Sequence, residues 1–205
     1  DGIVPTTLAE RNLILDKNEL HDNIAIIDVG AENTDIGVFE GSTFIYTNSI
    51  PLGGENITND IALVLNIAQE EADKLKRQYG LALKSFIDND NDIILNTCKD
   101  NNKNKIIKSS ELIEIIEARI EEMFLIINKD LTNQGIKSRI NNVILTGQGI
   151  INISKSDVAG KINLNIPVKI STGRLIGTTK PAYRTSYALV RYIASRPFTK
   201  TVSSS

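Results

Sequence analysis

The 205-residue chain sets 23 Lys and Arg against 25 Asp and Glu, and its formal net charge of -2 excludes a general attraction to nucleic acid or to an anionic membrane surface. Hydrophobic residues make up 41%, enough to fill one sizeable core or two small lobes. The lone cysteine, Cys98, excludes an internal disulfide framework and a cysteine-based zinc site and points to a reducing compartment, while the lone histidine, His21, sits in a polar approach to the first strand and closes off histidine triads.

Residues 5–22 hold Leu8, Leu13, Ile14 and Leu15 ahead of a charged segment and predict a short helix leading into that strand. Ile24 to Ile27 are apolar without alternation, the pattern of a strand buried on both faces. A polar turn and a second apolar run to Phe39 complete a hairpin. The turn Glu40-Gly41-Ser42 and the alternation from Thr43 to Ile50 add a third strand, so three antiparallel strands form a meander. Pro51 to Gly54 punctuates. Ile57, Ile61, Val64 and Leu65 have helical spacing over 55–65, and Gln69 to Gln78 is a charged helix with a thin stripe of Ala72, Leu75 and Tyr79, ended by Gly80.

Polar turns at 88–92 and 100–104 bracket short strands at 93–97 and 105–108. Ser109 or Ser110 caps a long helix to about Asn128, with Leu112, Ile116, Ile120, Met123 and Ile127 on one face. Asn141 to Gly149 repeats the grammar of buried strand and glycine turn. A helix capped by Ser154 or Ser156 follows through Ala159, then a strand from Val168 to Ile170 and a final helix from Ala182 to Ala194. The tail from Arg196 to Ser205 is expected to be disordered. No apolar run reaches bilayer-crossing length, no leader is recognisable, and a chain opening at Asp1 is expected to be a piece of something longer.

The chemistry concentrates in Asp28-x-Gly30-x-x-x-Thr34-Asp35. Gly30 permits positive φ, Ala31 to Thr34 can turn their N–H groups into an anion-binding concavity, Thr34 adds a hydroxyl, and Asp28 can meet a hydrated metal. On these residues alone the pattern equally suits an ordinary tight hairpin.

Taken with Gly53-Gly54, Asp60-Ile61, Glu70-Glu71-Ala72-Asp73-x-x-Lys76 and Val143-Ile144-Leu145-Thr146-Gly147-Gln148-Gly149, the motif resembles the actin-like ATPase superfamily and, within it, the bacterial cell-division FtsA family. The likeness covers nearly all of the chain and corresponds to the family's C-terminal half. It implies an α/β, ribonuclease H-like fold, a mixed sheet with flanking helices. Residues 1–65 and 139–205 would form the core subdomain, with residues 66–138 inserted as a smaller α/β subdomain. It also implies ATP with Mg held between two lobes. Asp28 would face the metal through water, Gly30, Asn33 and Thr34 would hold phosphates, Gly147, Gln148 and Gly149 would underlie ribose and adenine, and Glu71 and Lys74 would meet sugar and base. The last two also suit a solvated ion pair. Gln148 interrupts a motif that is richer in glycine in the family, and Ala68 stands where Ser or Thr usually caps the charged helix. The first phosphate loop is not in this sequence, so the chain alone is expected to bind ATP weakly or not at all.

On the long helix, Arg119 projects into the sector of Leu112, Ile115 and Met123, bordered by Glu122, which suits plain snorkelling. Glu117-Ala118-Arg119-Ile120-Glu121-Glu122 also resembles the FtsA helix that receives the acidic C-terminal tail of the tubulin-like protein FtsZ. Arg119 would then pair with a carboxylate and Glu122 would orient it. The family further implies self-association into filaments, no nucleic-acid partner, and attachment to the inner face of the cell membrane at the division site. The membrane-targeting helix of the family is not visible in the tail. A pilus-assembly actin-like scaffold and a sugar-kinase-type phosphotransferase are the alternatives.

Overall fold

The computed structural model describes residues 7, 8, 11, 15, 21–95 and 105–171. Strand β1, Ile24–Val29, is buried at every position except the half-buried Asp28. It is the middle of a five-stranded sheet that also holds β2 (Thr34–Glu40), β3 (Thr43–Ile50), β6 (Asn142–Thr146) and β7 (Val168–Ile170), in the order β3-β2-β1-β6-β7. The unbroken apolar run of β1 follows from this position. Ala25, Ile27 and Val29 enter the larger apolar cluster, whereas Ile24 and Ile26 join Leu15, Phe39 and Ile144 in a second cluster on the opposite face. The β1–β2–β3 meander is antiparallel, and β6 runs parallel to β1, which places Asp28 opposite Asp35 and level with Thr146. The parallel strands therefore end together at one edge, where a doubly covered sheet opens its crevice.

Helix α1, Gly54–Leu65, buries Ile57, Ile61 and Leu65 and stops at Asn66 in the left-handed region. Helix α2, Gln69–Tyr79, buries only Ala72 and Leu75. Gly80 closes it with φ of -57°, so a left-handed cap does not explain the glycine; an added Cβ would overlap the Lys76 carbonyl. Strands β4 (Asp92–Leu95) and β5 (Lys105–Lys108) pair as a separate hairpin.

Helix α3 runs from Ser109 to Asn133, five residues beyond the predicted end, because Phe124, Ile127 and Leu131 continue its buried face. Its first turn is capped from outside: Asp90 accepts from the Ser110 amide at 2.9 Å and from both serine hydroxyls, which holds the Asp90 carboxyl below the usual range, the Ser110 amide contributing most. Helix α4, Ser156–Leu164, lies against the second half of α3, with Phe124 over Gly160. One apolar cluster runs from the sheet through α3 to the hairpin residues Ile93, Leu95 and Ile107. Among the described residues no helix is long and apolar enough to cross a membrane. Most of the predicted leading helix, Cys98, the helix at 182–194 and the tail at 196–205 lie outside the described residues.

Candidate functional site

Three glycine-bearing segments meet backbone to backbone at the edge where β1 and β6 end. The Gly30 amide donates to the Asn33 carbonyl at 2.8 Å and closes the turn after β1. Gly54 and Glu55, the first residues of α1, donate to the carbonyls of Gly30 and Ala31 at 2.9 and 2.8 Å, and the Gly149 amide donates to the Val29 carbonyl at 2.8 Å. Side chains would not fit between these strands of backbone: a Cβ on Gly53, Gly54, Gly147 or Gly149 would come inside 3.0 Å of neighbouring main chain. Gly147 also has φ of +97°, which an L side chain rarely adopts. Glycine at 147 and 149 is thus demanded by contact between chain segments, a nearer cause than approach to a sugar or base.

Two cavities flank the junction, and Ala31 lines both. The first, of about 330 Å³, is bounded by Asp28, Gly30, Ala31, Glu32, Asn33 and Asp35. The amides of Ala31, Glu32 and Asn33 have no acceptor among the described residues. Gly30, Asn33 and Asp28 therefore line one cavity. Thr34 does not join them. Its hydroxyl donates to the Leu52 carbonyl at 2.6 Å and the residue is buried, because alternation along β2 turns Thr34 away from the side that Asp35 presents to the cavity. Asp35 itself accepts from Ser49 Oγ at 2.7 Å.

The second cavity, of about 460 Å³, lies between α1, α2 and the turn after β6. Gln148 is exposed and lines it, with Gly149 beside it, while Gly147 is buried in the junction. From α2 come Gln69, Glu70, Asp73, Lys76 and Arg77. Glu71 and Lys74 do not line the cavity: their charges stand 3.9 Å apart, and the Lys74 side chain is 74% exposed. Only the lysine end of this pair is in water, since the Glu71 side chain is 14% exposed. Lys76, only 12% exposed, donates to the Gly54 carbonyl at 2.9 Å and to Thr58 Oγ1 at 2.7 Å, and lies 3.2 Å from Asp73. Arg77 donates to Asp73 at 2.7 Å. Burial of Asp73 works to raise its pKa, but the hydrogen bonds from Arg77 and Lys76 outweigh it and hold the carboxyl below its ordinary 3.8. The stripe 69, 73, 76 has helical spacing and was available as a signal; the apolar stripe at 72, 75 and 79 has a charged flank on each side, however, and only the position of α1 selects one.

Arg119 is engaged within the chain. Its Nε and Nη2 donate to the two carboxylate oxygens of Asp60 on α1, at 2.5 and 2.9 Å, and its Nη1 donates to Glu122. Arg119 is thus paired inside the chain by Asp60 and flanked by Glu122, whereas the resemblance paired it with a carboxylate of a partner's tail. The hydrogen bonds to Asp60 raise the guanidinium pKa further.

Solved structures share this architecture. MreB5 of Spiroplasma citri bound to ADP superposes with a TM-score of 0.71 at 19% identity, over 92% of this chain and 58% of that one. The PilM-PilN type IV pilus biogenesis complex follows at 0.64 and 15%, over 94% and 51%. The fold is that of the actin-like ATPases. The family model described as Cell division protein FtsA matches residues 25–188. FtsA of Bacillus subtilis (strain 168) is 33% identical over 190 residues, 90% of this chain and 42% of that protein, and FtsA of Escherichia coli (strain K12) is 24% identical over 94% and 48%. The chain belongs to the FtsA family of cell-division proteins, and it spans about half the length of the curated relatives it matches.

Proposed function

We propose that this chain supplies one wall of an ATP site in an FtsA-like actin homologue, which self-associates into filaments and tethers FtsZ filaments to the inner face of the cell membrane during division. The observation that carries this reading is the convergence of the turn at 30–33, the start of α1 and the turn at 147–149 on one cleft. The cavity beside α2 has the size of a nucleoside site. The Ala31, Glu32 and Asn33 amides, which have no acceptor among the described residues, suit phosphate oxygens. Residues 1–65 and 139–205 are the core subdomain of this reading and 66–138 the inserted one.

Magnesium fits as a hydrated ion. Among the described residues no three acidic, histidine or cysteine side chains are grouped to hold a metal directly, yet Asp28, Glu32 and Asp35 surround the phosphate cavity. Such acids would repel an anion unless a cation stood between, and magnesium commonly keeps its waters and takes few protein ligands. Asp28 would hold such an ion through water, the ion would neutralise phosphate charge, and Asn33 with the turn amides would position the phosphates. On α2, Asp73 and Glu70 are acceptors for sugar hydroxyls, and Gln148 narrows the cleft opposite. Arg119 and Glu122 form the place where the acidic FtsZ tail docks, and MreB5 bound to ADP and the MamK double helical filament support nucleotide and filament readings through shared fold. The cleft supports binding and positioning.

Titration of Mg and ATP into the 205-residue chain, followed by amide NMR shifts, tests the cleft. Shifts are expected at residues 30–33 and 148–149, saturating with a Kd of order 1 mM. Shifts confined to another face would overturn the assignment, and micromolar binding would contradict the single-wall account.

A further inference from the structure

Asp60 and Arg119 sit where two helices touch, and their geometry bears on how an acidic partner could engage. Asp60 takes two of the five guanidinium N–H groups in a side-on fork, and Glu122 takes a third. The pair is partly accessible, with side chains 26% and 23% exposed. One cation facing two carboxylates gives the cluster a net negative charge, so an arriving carboxylate meets repulsion rather than a free arginine. On the outer face of α1, Leu63 and Val64 follow Asp60 by three and four positions, hence on neighbouring surface, and are 80% and 61% exposed. A surface with an ionic centre and adjoining uncovered apolar side chains fits a peptide that carries a carboxylate flanked by apolar residues.

We propose that Asp60 is an internal competitor for Arg119, a carboxylate gate that an acidic partner must displace or share. This rests on the assignment of Arg119 to partner docking. Exchange of one carboxylate for another conserves the buried hydrogen bonds of the guanidinium, so the displaced Asp60 needs only to turn to water, and its partial exposure permits that. The gate makes docking weak for a partner offering charge alone and favours one that also covers Leu63 and Val64. It also links the docking surface to α1, whose first amides are bonded to Gly30 and Ala31.

The test is fluorescence anisotropy with the C-terminal tail peptide of FtsZ and a version with its acidic residues changed to amides, measured against wild type, Asp60→Asn, Arg119→Glu and Leu63→Ser. The gate requires Asp60→Asn to bind the acidic peptide about tenfold tighter, the effect of removing a like charge roughly 5 Å away in a half-wet site, with little gain for the neutral peptide. The gain should shrink at high salt. Unchanged or weaker binding by Asp60→Asn, with circular dichroism and melting like wild type, would overturn the gate while leaving docking at Arg119 intact. Peptide affinity unaffected by Arg119→Glu would instead overturn the docking assignment and the gate with it. Leu63→Ser is expected to weaken both peptides, and equal affinity would remove the apolar part of the surface.

Discussion

Gly147 offers a sharp test of why the motif after β6 carries glycine. Two costs combine in Gly147→Ala. A φ of +97° lies beyond the left-handed region that alanine reaches with difficulty, a strain of about 1–3 kcal/mol. The new methyl would also press on the Val29 carbonyl and the Asp28 carboxylate at the end of β1, an overpacking cost of about 1–3 kcal/mol. Together these give roughly 4 kcal/mol, a large share of the 5–15 kcal/mol typical of a domain. Gly135 is the control: φ is +67° with nothing within 4 Å of an added Cβ, so Gly135→Ala bears the conformational cost alone, about 1 kcal/mol. Urea unfolding followed by circular dichroism should separate the two variants by about 3 kcal/mol, near 1.5 M in midpoint for a slope of roughly 2 kcal/mol/M. Equal midpoints within about 1 kcal/mol would refute the claim that chain-to-chain contact demands this glycine.

Thr34→Val should cost about 1–2 kcal/mol by leaving the Leu52 carbonyl without its donor, while ATP-induced amide shifts at 30–33 stay as in wild type; loss of those shifts in a folded variant would return Thr34 to the phosphates. Tyr46 donates to Asp130 at 2.8 Å across the β3–α3 contact, and burial, then this bond and its charge, push its pKa from 10.0 up to about 12. Since the folded value is the higher one, the stability contributed is complete below pH 10 and is lost as pH rises towards 12. The tyrosinate absorbance difference between wild type and Tyr46→Phe should therefore titrate near 12, and a midpoint near 10 would show that the Asp130 contact does not persist in solution.

Much of the fold was legible locally. Strand β1 is apolar without interruption because both faces are covered, β2 and β3 follow from turn residues one hairpin apart, and α3 shows its stripe from Leu112 onward. The helix runs past Asn128 to Asn133 because Leu131 remains buried by tertiary packing. By residue type alone the turn from Asp28 to Asp35 equally suits an ordinary hairpin; in the structure Asp28, Gly30 and Asn33 line one cavity. Thr34 went the other way for a reason no motif encodes, since strand alternation and the nearby Leu52 carbonyl claim its hydroxyl first.

What the sequence determined by itself was the order of elements, which rests on spacing along one chain, while the family entered through the resemblance of its glycine-bearing motifs. Which side of α2 meets the cleft, and which carboxylate holds Arg119, were decided only by tertiary structure. A helix presents charged residues on both flanks of its apolar stripe, and Asp60 lies 59 positions from Arg119. Such pairings depend on where α1 is pinned, and that is fixed by amide bonds from Gly54 and Glu55 to the turn that follows β1.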